Sequence, residues 1–283
     1  MSLKIAYLGP EGTNSETAAL YFLDWQQSQG QSGQLCAYTT IAQTLQAVAE
    51  GRADLGVVPV ENSIEGSVTM TLDSLWKWQS LQIQRAIVLP IIHALISRAS
   101  SLATLEVVYS HPQALAQCQG WLEQFLPKAE RLASNSTSEA LQHVDPGGRV
   151  AAIASPRAAK LYGLPHLVEK INDYTDNCTR FLLVGQTPHQ EGSHTSLAFS
   201  LPANVPGALV RPLQIFAARS INMTRIESRP TKRSLGEYIF FIDVAAGLNT
   251  IALQSALEEL AEHTEALKVF GSYQIISTNG PPS

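Results

Sequence analysis

The sequence has few cysteines and no long uninterrupted apolar run, and these two deficits exclude several classes of protein. Its three cysteines, Cys36, Cys118 and Cys178, are too far apart to form a CxxC pair, so they indicate neither a zinc site nor a disulfide framework. The longest apolar candidate, residues 87–96, contains a proline and a histidine and is shorter than the ~20 residues that a membrane-spanning helix needs. We therefore expect no membrane partner.

Basic residues are also scarce. The chain has 19 Lys and Arg residues against 24 Asp and Glu residues, and its net charge is -5. A nucleic-acid-binding protein needs a basic face that neutralises phosphates, so we expect no nucleic-acid partner. The first ten residues pass into a strand-like run without the apolar core of a signal peptide, which predicts a cytoplasmic protein.

The sequence does contain enough apolar material for two folded domains. Its 283 residues correspond to two domains of about 150 residues, and 45% of them are hydrophobic, which argues against disorder. In the first two thirds, strand-like and helix-like segments alternate, as in βαβ units that build a parallel sheet. The predicted strands are residues 4–8, 35–39, 55–60, 106–109, 150–154 and 179–184, with further strand-forming sequence over 83–97, and the predicted helices are residues 15–25, 41–50, 113–125 and 157–162.

Polar loops follow several of these strands, at residues 9–13, 61–63, 110–113 and 155. They offer hydroxyl groups, amides and free backbone N–H groups with few basic side chains. Ligands of open parallel sheets bind beyond the carboxyl ends of the strands, against helix N-termini, so these loops are suited to a small anion. The first loop, GPEGT, is neither GxGxxG nor a P-loop. An ordinary strand-to-helix cap remains an alternative for each loop.

The last third has a different pattern. A polar linker is predicted at residues 186–194, and residues 279–283 are expected to fray. Between them the segments follow the order βαββαβ of a split ferredoxin-like unit, which commonly exposes a sheet edge or helix face to a second copy. We therefore expect a homodimer or homotetramer. The segments are strand 195–201, helix 209–219, strand 221–228, strand 238–244, a helix capped by Asn249 that ends at residue 263, and strand 267–273.

Six short strings, in one order, resemble those of prephenate dehydratases. They are GPEGT (9–13), PVENS (59–63), SHPQA (110–114), SPRAAKLYGL (155–164), CTRFLLV (178–184) and TRIESRP (224–230). The resemblance implies an α/β fold with a two-lobed catalytic unit similar to type II periplasmic binding proteins, followed by a ferredoxin-like βαββαβ ACT domain. It implies the monofunctional form, without a chorismate mutase segment. The implied divisions are a catalytic domain at 1–186, with lobe one at about 1–85 and 170–186 and lobe two at about 90–168, and an ACT domain at 195–275.

The resemblance also implies a reaction, in which prephenate loses carbon dioxide and water to give phenylpyruvate during phenylalanine biosynthesis. Aromatisation of the ring drives this reaction, so we expect no cofactor and no metal. Thr179 is implied as the acid at the departing hydroxyl. A threonine hydroxyl is a very weak acid, so it could transfer a proton late or only donate a hydrogen bond, and the residues do not decide between the two. The implied catalytic residues are Thr179, Asn62, Ser110 and Gln117, and the implied substrate-binding residues are Thr13, Ser63, Arg180, Phe181, Ser155 and His111.

Several of these residues have a second interpretation. Arg180 could neutralise a substrate carboxylate by a bidentate contact, or it could be a structural ion-pair partner. His111 titrates near neutrality and could be a general acid, but a histidine before a proline at a helix start favours a loop hydrogen bond. Glu61 would repel a dianionic substrate, so it is interpreted as a structural or orienting residue. Thr179 could also be an ordinary β-branched strand residue.

Phenylalanine is the effector that the resemblance implies, bound between paired ACT domains. Two departures from the family pattern bear on the sites: Asn14 stands where an aromatic residue is usual, and Ser220 where a glycine is common. A purely dimerising ACT domain is the alternative. The implied effector-binding residues are Gly207, Ala208, Leu209, Val210, Asn222, Glu227, Ser228, Arg229 and Pro230.

Two other functions fit parts of the same pattern. A solute-binding or effector-sensing protein would need similar anion-holding loops, since fold does not determine function. An arogenate dehydratase would differ only in accepting an amino group where prephenate has a keto oxygen. The residues do not decide between prephenate and arogenate.

Overall fold

The computed structural model describes residues 2–278, which form three β-sheets with helices packed against them. The predicted frayed tail, residues 279–283, lies outside the described residues. Within residues 2–278, no helix has both the length and the hydropathy that crossing a membrane requires.

The first lobe begins with the alternating strands and helices that the sequence predicts. They are β1 (Leu3–Leu8), α1 (Asn14–Ser28), β2 (Gly33–Tyr38), α2 (Ile41–Ala49), β3 (Leu55–Asn62), β4 (Gly66–Ser67), α3 (Thr69–Lys77) and β5 (Gln82–Pro90). Thr13 and Thr40 are the N-caps of α1 and α2, and each side-chain oxygen accepts a backbone N–H from the first turn. The sequence pattern does not predict β4 or α3, because α3 follows Val68, which has no side-chain cap to offer.

The second lobe occupies the middle of the chain. Its elements are β6 (Ala94–Ile96), β7 (Val107–Ser110), α4 (Pro112–Gln117), α5 (Gln119–Phe125), β8 (Glu130–Ala133), α6 (Thr137–Ala140), β9 (Val150–Ala154), α7 (Pro156–Leu161) and β10 (His166–Glu169). The strand-forming sequence over 83–97 is therefore divided: β5 stays in the first sheet and β6 begins the second. The second sheet has the strand order β10-β6-β9-β7-β8.

The prediction of one helix over residues 113–125 is wrong, because the segment forms two helices that are separated at Cys118. The φ and ψ of Cys118, -119° and 15°, leave the helical region. The Asp173 carboxylate accepts the N–H groups of Gly120 and Trp121 at 2.8 and 2.9 Å, which stabilises the first turn of α5. A Cβ at Gly120 would lie 3.2 Å from this carboxylate, so the absence of a side chain permits the close approach.

The chain then returns to the first sheet through β11 (Cys178–Gly185), which pairs antiparallel with both β3 and β5. Two connectors join the lobes, residues 91–93 and residues 170–177. They bond to each other, since the N–H of Ile91 donates to the Asn177 carbonyl at 2.8 Å and the N–H of Ile171 donates to the His93 carbonyl at 3.0 Å.

The C-terminal domain has the predicted βαββαβ order. Its elements are β12 (His194–Ser200), α8 (Val210–Ala218), β13 (Met223–Pro230), β14 (Tyr238–Val244), α9 (Ile251–Glu262) and β15 (Ala266–Tyr273). The antiparallel sheet has the order β13-β14-β12-β15, so β13 is an edge strand. The prediction that Asn249 caps the last helix is wrong: the N-cap is Thr250, whose hydroxyl accepts the N–H of Leu253.

The C-terminal domain and the first lobe share one apolar core. Buried residues of α3, such as Leu72 and Leu75, belong to the same cluster as Phe241 of β14 and Phe270 of β15. After this domain, β16 (Ile275–Ser277) adds to the first sheet in parallel with β5. The first sheet thus has the order β16-β5-β11-β3-β1-β2, with β4 paired to β3.

Candidate active site

A cleft of about 1050 Å³ lies between the two lobes. It is lined at the carboxyl ends of β1 and β3, around the N-termini of α1, α3 and α4, and at the first residues of β11. Because β11 runs antiparallel to β3, its amino end meets the carboxyl end of β3. The cleft therefore has the position at which open α/β sheets bind ligands.

Alternation along β11 determines which of its side chains reach the cleft. Thr179 and Phe181 line the cleft, and they are 8% and 2% exposed. Arg180 lies between them and points to the opposite side of the sheet, where it contacts the C-terminal domain. The strand thus presents one hydroxyl and one aromatic ring to a ligand.

Asn62, the last residue of β3, holds the Thr179 hydroxyl in one orientation. The sheet register pairs the two residues, and Asn62 Nδ2 donates to Thr179 Oγ1 at 2.9 Å. Asn62 Oδ1 accepts the N–H groups of Ile64 and Glu65, both at 3.1 Å, which identifies it as the amide oxygen. The Thr179 oxygen is therefore an acceptor towards Asn62, and within residues 2–278 its hydrogen has no acceptor. That hydrogen is free for a ligand in the cleft.

Gln117, at the end of α4, brings a second donor from the other lobe. Its Oε1 accepts from Asn177 Nδ2 at 2.9 Å and lies 3.0 Å from His93 Nε2. Its Nε2 donates to Glu65 Oε1, which also lines the cleft, at 3.4 Å. The sequence pattern indicates neither His93 nor Asn177, although Asn177 lies two residues before Thr179.

The two histidines at the cleft are neutral near pH 7. Burial lowers the pKa of His93, although the hydrogen bond to Gln117 opposes the shift. Burial also lowers the pKa of His111, against a smaller raising effect of the Glu65 charge. His111 Nδ1 accepts the N–H of Gln113 at 3.3 Å, so its Nε2 carries the ring hydrogen. His111 can therefore donate a neutral hydrogen bond, which favours the second of its two interpretations.

The remaining polarity of the cleft comes from helix N-termini. Thr13 and Asn14 of α1 and Thr69 of α3 line it, and a helix N-terminus carries partial positive charge that favours anions. The Thr13 hydroxyl is itself occupied, because it donates to the Pro10 carbonyl at 2.9 Å. Within the described part of the chain, no Lys or Arg lines the cleft, and no group of three His, Cys, Asp or Glu residues could hold a metal ion.

Three serines predicted at the site do not line the cleft. Ser110 has no exposed surface, because its Oγ donates to the Ile153 carbonyl at 2.6 Å. Ser155 caps α7, and Ser63 Oγ accepts the N–H of Cys178 at 3.0 Å. Each of these hydroxyls makes a bond that stabilises local structure. For Ser110, which has no exposed surface, this disagrees with the predicted catalytic role; the assignment of Ser63 and Ser155 to substrate binding stays a prediction.

Arg180 also does not contact the cleft, which corrects its assignment to substrate binding. Its Nη2 lies 2.7 Å from Glu61 Oε2 and 2.7 Å from Asp243 Oδ2 of β14. Arg225 of β13 binds the same Asp243 oxygen at 2.9 Å. Burial alone would raise the pKa of Asp243. The charges of Arg225 and Arg180 outweigh this effect and hold the pKa below its usual value, so the carboxylate stays ionised. Arg180 therefore has the alternative role of a structural ion-pair partner.

The segment formed by β4 and α3 contacts both the cleft and the C-terminal domain. Ser67 and Thr69 line the cleft, while Ser67 Oγ donates to Glu227 Oε2 at 3.0 Å. Asp73 of α3 accepts two hydrogen bonds from Arg229, each at 3.1 Å. The C-terminal end of α3 is held by Lys268 of β15, whose Nζ donates to two main-chain carbonyls at 2.6 Å.

Comparison with protein families identifies both parts of the chain. A prephenate dehydratase family model matches residues 5–189, and an ACT domain model matches residues 195–262. The chain belongs to the prephenate dehydratase family. The predicted fold class is confirmed, a two-lobed α/β catalytic unit with a βαββαβ ACT domain, and so is the enzyme class, a prephenate dehydratase.

Individual relatives agree over nearly the full length of the chain. It is 38% identical to the prephenate dehydratase of Lactococcus lactis subsp. cremoris, across 97% of this chain and 99% of that one. A crystal structure of an Arthrobacter aurescens prephenate dehydratase in complex with L-Phe superposes with a TM-score of 0.84 at 36% identity, covering 96% and 90% of the two chains. A structure named GqqA, described as a novel type of quorum quenching acylase, superposes with a TM-score of 0.78 at 30% identity, covering 99% and 98%.

The residues assigned to effector binding lie in two places on the ACT domain. Gly207 lies in a turn with φ +82°, and Ala208 and Leu209 lead from it into α8 at Val210. Along β13, Glu227 and Arg229 face the first lobe and are bonded to it, whereas Ser228 and Pro230 are exposed. Asn222 is exposed just before β13.

Proposed function

We propose that the cleft converts prephenate to phenylpyruvate, with the Thr179 hydroxyl as the donor to the departing ring hydroxyl. One observation carries this proposal: Asn62 holds Thr179 Oγ1 from behind at 2.9 Å and leaves its hydrogen available to the cleft. The two side chains face each other because β3 and β11 pair in that register.

The reaction needs little more than this donor and a binding site. The electron pair of the bond between the ring and its carboxylate moves into the ring as carbon dioxide leaves, and the ring C–O bond breaks at the opposite carbon. The departing oxygen gains negative charge and takes up one proton to become water. A threonine hydroxyl is a weak acid, so Thr179 acts by a hydrogen bond that strengthens as this charge develops. The Asn62 N–H stabilises negative charge on the Thr179 oxygen at the same moment.

The substrate carries two carboxylates, and neutral donors fit them. The N-termini of α1 and α3 favour negative charge at the cleft, and Gln117 Nε2 and His111 Nε2 are uncharged N–H donors on the other side. Phe181 supplies an apolar surface for the ring. Glu65 Oε1 accepts from Gln117 Nε2 at 3.4 Å and would repel an adjacent carboxylate. We therefore expect the substrate carboxylates to lie at the helix N-termini and Gln117 to contact an uncharged part of the substrate.

We also propose that phenylalanine inhibits the enzyme through the ACT domain, at the two segments 207–210 and 222–230. The Arthrobacter aurescens relative is described as a complex with L-Phe. In this chain, Glu227 and Arg229 of the second segment bind Ser67 and Asp73, and Ser67 lines the cleft. A ligand that moves β13 would therefore displace cleft residues. Such coupling between sites commonly amounts to about 1–3 kcal/mol.

Two coarser expectations remain part of the proposal. The edge strand β13 and the start of α8 expose apolar side chains, including Ile226 at 47% and Val210 at 53%, which supports a homodimer or homotetramer formed through the ACT domains. Cys36, Cys118 and Cys178 are free thiols, which fits the reducing cytoplasm.

One assay separates the candidate functions. Purified protein is incubated with prephenate and, separately, with arogenate, and phenylpyruvate and phenylalanine are measured over time. We expect phenylpyruvate from prephenate, at a rate that added phenylalanine lowers. Phenylalanine formed faster from arogenate would instead identify an arogenate dehydratase. Binding of either compound without turnover would leave a solute-binding protein and reject the proposal.

A further inference from the structure

A continuous chain of side-chain hydrogen bonds runs behind the cleft from one lobe to the other. Asn62 Nδ2 donates to Thr179 Oγ1 at 2.9 Å and to Asn177 Oδ1 at 2.8 Å. Asn177 Nδ2 in turn donates to Gln117 Oε1 at 2.9 Å, and His93 Nε2 lies 3.0 Å from the same Oε1. Thr179 and Asn62 belong to the first lobe, Gln117 belongs to the second, and Asn177 and His93 lie in the two connectors.

The three amides of this chain have only one consistent arrangement. Asn62 Oδ1 is occupied by two backbone N–H groups, so its Nδ2 must face Thr179 and Asn177. Asn177 must then turn its oxygen to Asn62 and its nitrogen to Gln117. Gln117 therefore turns its oxygen to Asn177 and its Nε2 to the cleft. Reversing any one amide would oppose two donors or two acceptors.

From this arrangement we infer that Asn177 is a positioning residue, which orients the Thr179 hydroxyl through Asn62 and the Gln117 amide directly. It cannot act by touching the substrate, because it is 1% exposed and does not line the cleft. From its position in the connector, its side chain bonds to a cleft residue of each lobe, Asn62 and Gln117. The inference rests on the proposed function, since it assumes that Thr179 donates to the departing hydroxyl and that Gln117 contacts the substrate.

The chemistry of position 177 follows from the two bonds. The side chain must accept at one end and donate at the other, over the length of an asparagine. Aspartate has the same shape but no donor, so Asn177→Asp keeps the contact with Asn62 and loses the contact with Gln117. Alanine loses both. The two variants therefore test the Asn62 contact and the Gln117 contact of residue 177 separately.

The decisive experiment is a double-mutant cycle of Asn177→Ala with Thr179→Ala, using prephenate turnover and thermal unfolding of the full-length protein. If Asn177 acts through Thr179, Asn177→Ala lowers kcat by about 10- to 100-fold in the wild-type background. In the Thr179→Ala background, the same change then has little further effect on kcat, because the hydroxyl that it orients is already gone. Equal losses of kcat in both backgrounds would reject the inference.

Asn177→Asp provides a second measurement should Asn177→Ala fail to fold. An acidic side chain next to Gln117 Oε1 favours rotation of the Gln117 amide, which turns its oxygen to the cleft. We expect KM to rise with a much smaller change in kcat, since the Asn62 contact is kept. A fall in kcat at constant KM, or wild-type values for both, would contradict the inference.

Asn172→Ala is the matched control. Asn172 lies in the same connector and makes two bonds, accepting the N–H of His93 at 2.8 Å and donating to the Ile91 carbonyl at 3.0 Å, but it is not part of the amide chain. We expect Asn172→Ala to lower kcat by the same factor, if at all, in the wild-type and in the Thr179→Ala background. If the wild-type protein does not convert prephenate, the proposed function fails. If it does, and Asn177 and Asn172 behave alike in the cycle, only the inference fails.

Discussion

Arg180 and Asp243 form an ion pair between the catalytic unit and the ACT domain, with Arg180 Nη2 2.7 Å from Asp243 Oδ2 and side-chain exposures of 11% and 2%. Arg180 is the neighbour of Thr179 in β11. The strand that presents the Thr179 hydroxyl to the cleft is therefore attached, one residue later and on its other face, to the ACT domain.

Removing the charge of Asp243 should destabilise the protein strongly. Asp243→Asn leaves Arg225 and Arg180, both largely buried, without their shared counter-charge. Breaking a buried pair in this way commonly costs about 3–5 kcal/mol, which urea unfolding at pH 7 would measure. The lowered pKa of Asp243 means that its contribution is fully present above its unfolded-state pKa and is lost as the pH falls through its folded-state pKa. Glu50→Gln is the control, since its pair with Arg52 is exposed and should have little effect.

Asp73→Asn should weaken inhibition by phenylalanine while leaving the basal reaction intact. Burial tends to raise the pKa of Asp73, but hydrogen bonds from Arg229 and Lys232 lower it, so the carboxylate is ionised at neutral pH. Its loss removes an anchor between β13 and α3 without changing a cleft residue. We expect half-inhibition to require about 5-fold more phenylalanine or more, with kcat near wild type. Glu259→Gln, which breaks an ion pair inside the ACT domain, should leave inhibition unchanged. Unaltered inhibition in Asp73→Asn would show that the signal does not pass through this contact.

Much of the fold follows from local signals in the sequence. Helices are predicted over 15–25, 41–50 and 157–162, and the structure begins them close to these positions, after the N-caps Thr13, Thr40 and Ser155. Such helix starts follow from sequence because a cap acts within one turn of its own residue. The helix break at Cys118 could not be read in this way. It depends on Asp173, a residue more than fifty positions away that binds the first turn of α5.

Part of the site could be predicted from the regular geometry of the strands. Thr179 and Asn62 meet because two strands pair, and alternation along β11 would also have assigned Arg180 to the opposite face and Asn177 to the side of Thr179. No comparable rule places His93 beside Gln117, since the two come together only when the lobes fold around the connectors. Ser110 shows that a correctly placed loop does not guarantee an available side chain. Its loop has the expected position, but its hydroxyl donates to the Ile153 carbonyl of the neighbouring strand.

The rate of the reaction should not depend on a histidine cation near neutral pH. Burial lowers the pKa of both His93 and His111 below the ordinary value of 6.5, so both rings stay neutral from pH 6.5 upwards. We expect kcat to be flat between about pH 6.5 and 8 and to fall only at lower pH, where protonation places a charge on a buried ring. A fall in kcat as the pH rises through 6 to 7 would instead indicate that protonated His111 is the acid. His111→Gln, which keeps a neutral donor, should retain the flat profile.

Gly207→Val tests the effector site at the turn before α8. Gly207 has φ +82°, a conformation that β-branched residues avoid, although among residues 2–278, its two chain neighbours aside, a Cβ there would meet no atom within 4 Å. The change should therefore reshape the turn, or block a ligand next to it, without disturbing packing within the domain. We expect weaker inhibition by phenylalanine with unchanged kcat in its absence, measured by turnover over a range of phenylalanine concentrations. Full sensitivity in this variant would reject the assignment of 207–210 to effector binding.

Thr179 is the most direct test of the chemistry. Thr179→Ala removes the donor but leaves Asn62 bonded to Asn177, so the hydrogen bonds among Asn62, Asn177 and Gln117 should be kept. A positioned donor that stabilises the departing oxygen is worth roughly 10²–10⁴ in rate, and we expect kcat to fall by that order with a smaller change in KM. Thr179→Ser keeps a hydroxyl at the same atom and should retain most of kcat. The matched control is Thr44→Ala, because Thr44 is a buried threonine of α2 that does not line the cleft and whose hydroxyl donates to the Thr40 carbonyl. Wild-type kcat in Thr179→Ala would remove this hydroxyl from the mechanism, and the departing oxygen would then need another donor, of which Gln117 and His111 are the candidates on the facing lobe.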